Sequence, residues 1–552
     1  MSLTRLGPRM LSRFLARRAR RESGFALAVV LVIVVLGATA LALRTINAAS
    51  LRSDRYRVTQ EALIKAKEAL IAYAVSDTAR PGELPCPDVN DDGKLMLGED
   101  FVGSNCVSLI GRLPWRTLDL PDLRDAQGER LWYALSNDFH ANGPVALNSD
   151  TAYRPGNTSL SISGTQVAGN VVAIVFSAGT TLKRAGAAAL QDRSCIVGTD
   201  CDATYKCTTS PASNTPKCNP AGYLDVSGVD NADGDTTFVS AAESETFNDR
   251  MLPILSDEIM SLVERRVGRE LGQKLRDHFD AWQCNAPCVP PVNIVNRKGF
   301  YPWAAPFNDP TVASPGVSGT LNGQLPIGAA SVVWTSALTV PPSPVLTCAG
   351  LGSSSISCTG DPGVVAVSIT GQVDNIATAF VDPPGGTEVT VVSGVVLIPP
   401  TVTWTLDQAN QRLNFSWNGL VLGAPGKVEI QVRAPAASAW TASWLTANNW
   451  HQLSYYALSP GYAINGTNSC VPGTNCVSVA NAIAPNNDKQ AVIVTSGRTL
   501  TGTLPPQAAR PVAPPASEAD FLEGGNQTPA DLAFEQNMRS PAFNDQPAVV
   551  RP

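Results

Sequence analysis

The sequence predicts an α+β protein: one long N-terminal helix, two tandem α+β lobes, and an all-β, sandwich-like module inserted in the second lobe. Three observations carry this prediction. The uncharged apolar run Phe25 to Leu43 leads into Ala48 to Ala74, a stretch without Gly or Pro. Four short blocks recur in the same order in the two halves of the chain. In the second half one interval between blocks is swollen by short β-type runs separated by turn signals. With 552 residues the chain has room for two to four domains. Charged residues are only 16%, against the usual quarter or so, and 44 Gly with 42 Pro mark a turn-rich chain. Apolar residues at 44% exclude a disordered chain, and a net charge of −6 without a basic stripe argues against nucleic acid as a partner.

The first element is basic, then apolar. Residues 1–24 carry seven Arg and one Glu, a balance of +6, so the rest of the chain stands at −12. The nineteen residues from Phe25 to Leu43 match the ~20 that cross a ~30 Å hydrocarbon core at ~1.5 Å per residue. The Arg-rich flank then implies a single-pass inner-membrane protein, its N-terminus cytoplasmic and its body periplasmic. Ala38-Thr39-Ala40 could instead be the small-x-small exit of a cleaved secretory signal. Retention is favoured by Ala48 to Ala74, where Leu63, Ala66, Leu70 and Ala74 share one face and prolong the helix. We therefore expect a leader over 1–24 and a transmembrane and spine helix over 25–80.

Glu22-Ser23-Gly24-Phe25, a Gly followed by Phe between a basic leader and an unbroken apolar helix, resembles the signal of type IV pilins and type II secretion pseudopilins. The resemblance implies cleavage by prepilin peptidase after Gly24, N-methylation of Phe25, and partnership with other pilins or pseudopilins. The family's major subunits carry Glu at the fifth mature position. Here that position is Val29, which implies a minor or tip subunit, extracellular at the filament tip after assembly. The alternative is a secreted or membrane-anchored, disulfide-rich, adhesin-like binding protein with a conventional signal.

The body reads as duplicated. Pro114-Trp115 is echoed by Pro302-Trp303, Trp132 to Ser136 by Tyr455 to Ser459, Ala173 to Leu182 by Ala491 to Leu500, and Phe247 to Arg250 by Phe543 to Gln546. A second helix, Ser256 to Trp282, opens with Asp257 and Glu258 and has Val263, Val267, Leu271 and Leu275 in an apolar row. The expected division is a first lobe at 81–255, a linking helix and the start of the second lobe at 256–329, a β insert at 330–437, and the rest of the second lobe with the tail at 438–552. Within the insert, strands are expected at Ser331 to Val340, Gly363 to Val373, Glu388 to Ile398, Thr401 to Leu406, Arg412 to Leu422 and Lys427 to Ala434. Such a module serves equally as a contact surface, for a secreted substrate or surface ligand, or as a spacer.

Twelve cysteines form six neighbouring pairs: Cys86 and Cys106, Cys195 and Cys201, Cys207 and Cys218, Cys284 and Cys288, Cys348 and Cys358, Cys470 and Cys476. In an exported chain these read as disulfides, with 195, 201, 207 and 218 free to exchange partners. Asp88, Asn90, Asp92, the Lys94 carbonyl and Glu99 fit the calcium-loop spacing D-x-[DN]-x-[DN]-G-x5-E, against the plainer reading of a solvated Asp/Asn turn. Calcium is thus a candidate cofactor, and Asp230 to Asp235 is a weaker second loop. Arg124, Asp125, Glu129 and Arg130 read as surface pairs. No catalytic residues are assigned: no nucleophile elbow or phosphate loop occurs, and His140, His278 and His451 are far apart. The sequence reads as a non-enzyme.

Overall fold

The computed structural model describes residues 9–140, 146–150, 160–183, 190–191, 193, 200–201, 207–208, 220, 223–226, 229–232, 235–283, 294–295, 298–307, 309, 312–328, 333–339, 347–349, 355–360, 364–381, 383, 389–393, 395–422, 428–433, 443–500, 510 and 516–551. Helix α1 (Arg9–Ser76) enters the first lobe through its C-terminal part, where Leu63, Ala66, Leu70 and Ala74 are buried. It packs on a sheet of β1 (Ile110–Arg112), β2 (Trp132–Leu135), β3 (Leu160–Gly164), β4 (Ala168–Ser177), β5 (Thr237–Ser240) and β6 (Arg250–Leu255), in the order β5-β3-β4-β2-β1 with β6 paired to β4. Side chains alternate across the sheet. Tyr133, Leu135, Ala173 and Val175 join the core shared with the helices, while Trp132, Ala134, Ile174 and Phe176 form a second core with Tyr223 and Phe238.

Strand β6 runs straight into helix α2 (Ser256–Trp282), which buries Val263, Val267, Leu271 and Leu275. After β7 (Ile294–Val295) and β8 (Asn322–Gln324) the chain forms eight strands: β9 (Val333–Thr339), β10 (Thr347–Ala349), β11 (Ser355–Gly360), β12 (Val364–Asp374), β13 (Val389–Ser393), β14 (Val395–Asp407), β15 (Arg412–Leu422) and β16 (Val428–Arg433). These make two sheets, β7-β14-β15-β12-β9 and β10-β11-β16-β13. After a short helix α3 (Ser443–Ala447), strands β17 (Ser454–Leu458), β18 (Ala491–Thr495) and β19 (Gln546–Arg551) join β8 in the order β8-β17-β18-β19, with α2 packed on β18 and β19.

The two lobe sheets share a register, not only an order. Tyr133 pairs with Val175 and Leu135 with Ala173; Tyr456 pairs with Ile493 and Leu458 with Ala491. Arg250 stands opposite Ser177, and Gln546 opposite Thr495. The closing turns are cross-linked alike: Asn248 Nδ2 donates to the Thr180 carbonyl at 2.7 Å, and Asn544 Nδ2 to the Arg498 carbonyl at 2.7 Å. Both Asn side chains sit where a Cβ on Gly179 or Gly497 would be, within 3 Å, so each turn requires glycine.

One sequence echo is corrected by this register. Gly111 pairs with Tyr133 and Gly323 with Tyr456, so Gly111 to Trp115 corresponds to Gly323 to Ile327. Pro302-Trp303 is not the counterpart of Pro114-Trp115. Tyr301 bridges Ala463 as Leu84 bridges His140, which puts Pro302 in the place of Pro85. Proline followed by an aromatic residue misled because both prolines flank the same sheet edge.

The expected transmembrane and spine helix over 25–80 is also corrected, and with it the single-pass inner-membrane placement. Among the described residues no helix is long and apolar enough to cross a membrane. The structure is α+β and mostly sheet. Beyond Ser50 α1 does not continue as an apolar rod: Arg52, Asp54, Arg55 and Arg57 are exposed on it, with Tyr56, Val58 and Ile64 among them.

Candidate functional site

Gly24 and Phe25 lie inside α1. Val29 is exposed, as are the next seven apolar residues. From Arg52 to Val58 the side chains remain exposed, and packing begins at Thr59. The helix therefore has a docked portion and an undocked one.

The acidic loop is ordered mainly by Asp88, which is almost fully buried. Its Oδ1 accepts the Asn90 and Asp91 N–H groups at 3.0 and 2.8 Å, and its Oδ2 the Gly93 N–H at 2.6 Å. This follows from local chemistry: a carboxylate at a turn start accepts the amides that the turn points inward. Asn90 donates to Glu99 at 2.5 Å, bringing those two together. Asp92 bends outward to the Lys94 N–H at 2.7 Å, and the Lys94 side chain is exposed. Among the described residues no group of three or more His, Cys, Asp or Glu is placed to hold a metal ion.

Sequence reasoning missed Asp100, the residue that closes the loop by accepting the Val89 and Met96 N–H groups, both at 2.9 Å. Its signal was an acid directly after Glu99. Burial, then the Asp100 and Asp91 charges, hold the Asp88 carboxyl well above its usual range, while the Gly93 N–H pulls it down. Burial pushes Asp100 up to about 6, against its two amide donors. The disulfide Cys86–Cys106, with Cα atoms 5.5 Å apart, clamps the base of the loop.

Of the charges read as surface pairs, Arg124 is exposed and pairs with Asp122 at 2.6 Å, whereas Asp125 and Arg130 are buried. Arg130 pairs with Asp91 at 2.8 Å and Asp122 at 3.0 Å. Asp125 accepts the Ser177 hydroxyl at 2.8 Å. Arg112 lies over the Trp132 and Tyr223 rings at 4.2 and 4.3 Å, so the network fastens the acidic loop to the second core of the first lobe.

In the weaker loop candidate, Asn231 is fully buried and acts as a clamp: its Oδ1 accepts the Val239 N–H at 2.8 Å and its Nδ2 donates to the Asp249 carboxylate at 3.2 Å. Asn526 repeats this with Glu535 and Asp545. The remainder of that loop, at 233–234, lies outside the described residues. A second disulfide joins Cys470 and Cys476. Backbone pairing sets Cys201 opposite Cys207 and Cys348 opposite Cys358. Cys195, Cys218, Cys284 and Cys288 lie outside the described residues. All three histidines are buried, and His278 Nδ1–H donates to the Phe300 carbonyl while its ring meets Phe300 and Phe380 edge-on. No protein family, curated protein or solved structure matches this chain.

Proposed function

We propose that the chain is a minor or tip subunit of a type IV pilus or type II secretion pseudopilus, assembled through α1 and presenting its lobes as a binding surface. The observation that carries this reading is the division of α1: the portion from Thr59 onward is docked, while the eight apolar residues Val29 to Leu36, after the Gly24-Phe25 signal, are exposed. Exposed apolar helix surface of this kind favours helix-on-helix packing between subunits. The test is mass spectrometry of the mature protein. A chain beginning at N-methylated Phe25 is expected. One beginning near Leu41 overturns the proposal in favour of a secreted, disulfide-stabilised binding protein with a conventional signal.

We extend the proposal to calcium at Asp88, Asn90, Asp92, the Lys94 carbonyl and Glu99. The support is electrostatic: beyond burial, the neighbouring Asp100, Asp91 and Asp92 charges raise the Asp88 carboxyl, and a cation beside it relieves that repulsion. Millimolar calcium is expected to raise the melting temperature relative to EDTA, and Asp88→Asn is expected to abolish the difference. Equal melting temperatures in calcium and EDTA refute it.

A further inference from the structure

A cavity of about 660 Å³ opens in the first lobe between α1 and the closing turn of the sheet. Arg52, Arg55 and Thr59 form its helix wall, Thr180 and Asn248 its floor, and Arg250 with Glu243 its rim. The size is that of a small-molecule site. We propose that it binds a small carboxylate-bearing, polyhydroxylated ligand, an acidic sugar of one or two rings; this does not rest on the filament reading.

The duplicated lobe supplies an internal control. In the second lobe Arg498 occupies the position of Thr180, and its guanidinium reaches Asp257 at the start of α2 at 3.6 Å, beside Arg539 at 3.1 Å. Cation and anion are matched within the chain there. In the first lobe the turn residue is a small Thr and the helix carries arginines instead. Arg250 is engaged, pairing with Glu243 at 3.2 Å and lying over Tyr56 at 4.5 Å. Arg52 and Arg55 have no ion pair or hydrogen-bond partner among the described residues. The match that the second lobe makes internally is left open.

The lining then fixes the ligand chemistry. Two guanidiniums one helical turn apart suit a planar carboxylate. Glu243 and Glu245 beside them disfavour a doubly charged phosphate and instead accept hydroxyl donors. Gln127 and Ser244 add neutral hydrogen-bonding groups to the same lining, which suit hydroxyls; hence a polyol with a single carboxylate.

The test uses the full chain and isothermal titration with galacturonate, with glucose and inorganic phosphate as controls. Saturable binding of galacturonate alone is expected, weakened at least tenfold in Arg52→Ala/Arg55→Ala and lost in Thr180→Arg, with melting temperatures unchanged. Thr180→Arg copies the residue that the second lobe tolerates at the same position. Absence of saturable binding overturns the proposal, as does equal binding of glucose or phosphate, or undiminished binding by both variants.

Discussion

Glu264 illustrates how one residue can report on a whole interface. It lies on α2, fully buried, accepting the Ser149 hydroxyl of the first lobe and a guanidinium N–H of Arg539 from the end of the second. Burial pushes its carboxyl up to about 7, against the pull of Arg539 and Ser149. A folded pKa above the ordinary value means that the protonated acid is favoured on folding. Its contribution is therefore full below about pH 4.5 and lost as pH rises through about 7, amounting to roughly 3 kcal/mol. The melting temperature is expected to fall between about pH 5 and pH 8, and to fall less in Glu264→Gln, whose amide resembles the protonated acid. Parallel pH profiles of the two proteins contradict this assignment. None of it was legible in the sequence, where Glu264 is one more charge on an amphipathic helix.

Elements were more legible than residues because periodicity survives without knowledge of partners. The apolar rows of α1 and α2 are buried residue for residue, and the run Arg412 to Leu422 is strand β15 from end to end. The recurring blocks hold because each is a strand or turn whose register the duplicate must repeat: Trp132 to Leu135 and Tyr455 to Leu458 cannot slip by one residue without turning Tyr133 or Tyr456 out of the core. Short elements escaped. Thr347–Ala349 and Ser355–Gly360 are too small and Ser-rich to signal a strand, yet their pairing puts Cys348 opposite Cys358. The equivalence of Gly111 and Gly323 was hidden by their different neighbours, although both exist for one reason. A Cβ at either would lie 2.7 Å or less from the carbonyl of the crossing strand, at Asp88 or Ala305.

At the scale of the molecule, the β insert is not an appendage. Its loop after β12 and its β14–β15 turn enter the second lobe: Trp282 donates its indole N–H to the Val381 carbonyl at 2.7 Å, the Trp303 N–H reaches the Ala377 carbonyl at 2.8 Å, and the Trp303 indole N–H donates to Gln411 at 3.1 Å. Phe380 packs edge-on against His278, and Ile376, Ala377, Trp404 and Trp417 belong to the same core as Phe300 and Leu275. A free spacer would share no core with the lobe that carries it. Replacing residues 330–437 by a short Gly-Ser linker is therefore expected to strip the cover from Trp282 and Phe300, so that α2 becomes sensitive to limited proteolysis and the melting temperature of the second lobe falls. Phe380→Ala checks the same seam without altering the connection, with an expected cost of about 3–5 kcal/mol in chemical denaturation. A shortened chain that melts like the full one, together with a Phe380→Ala variant of unchanged stability, would show that the insert folds apart from the lobe and leaves it free to act as an independent module.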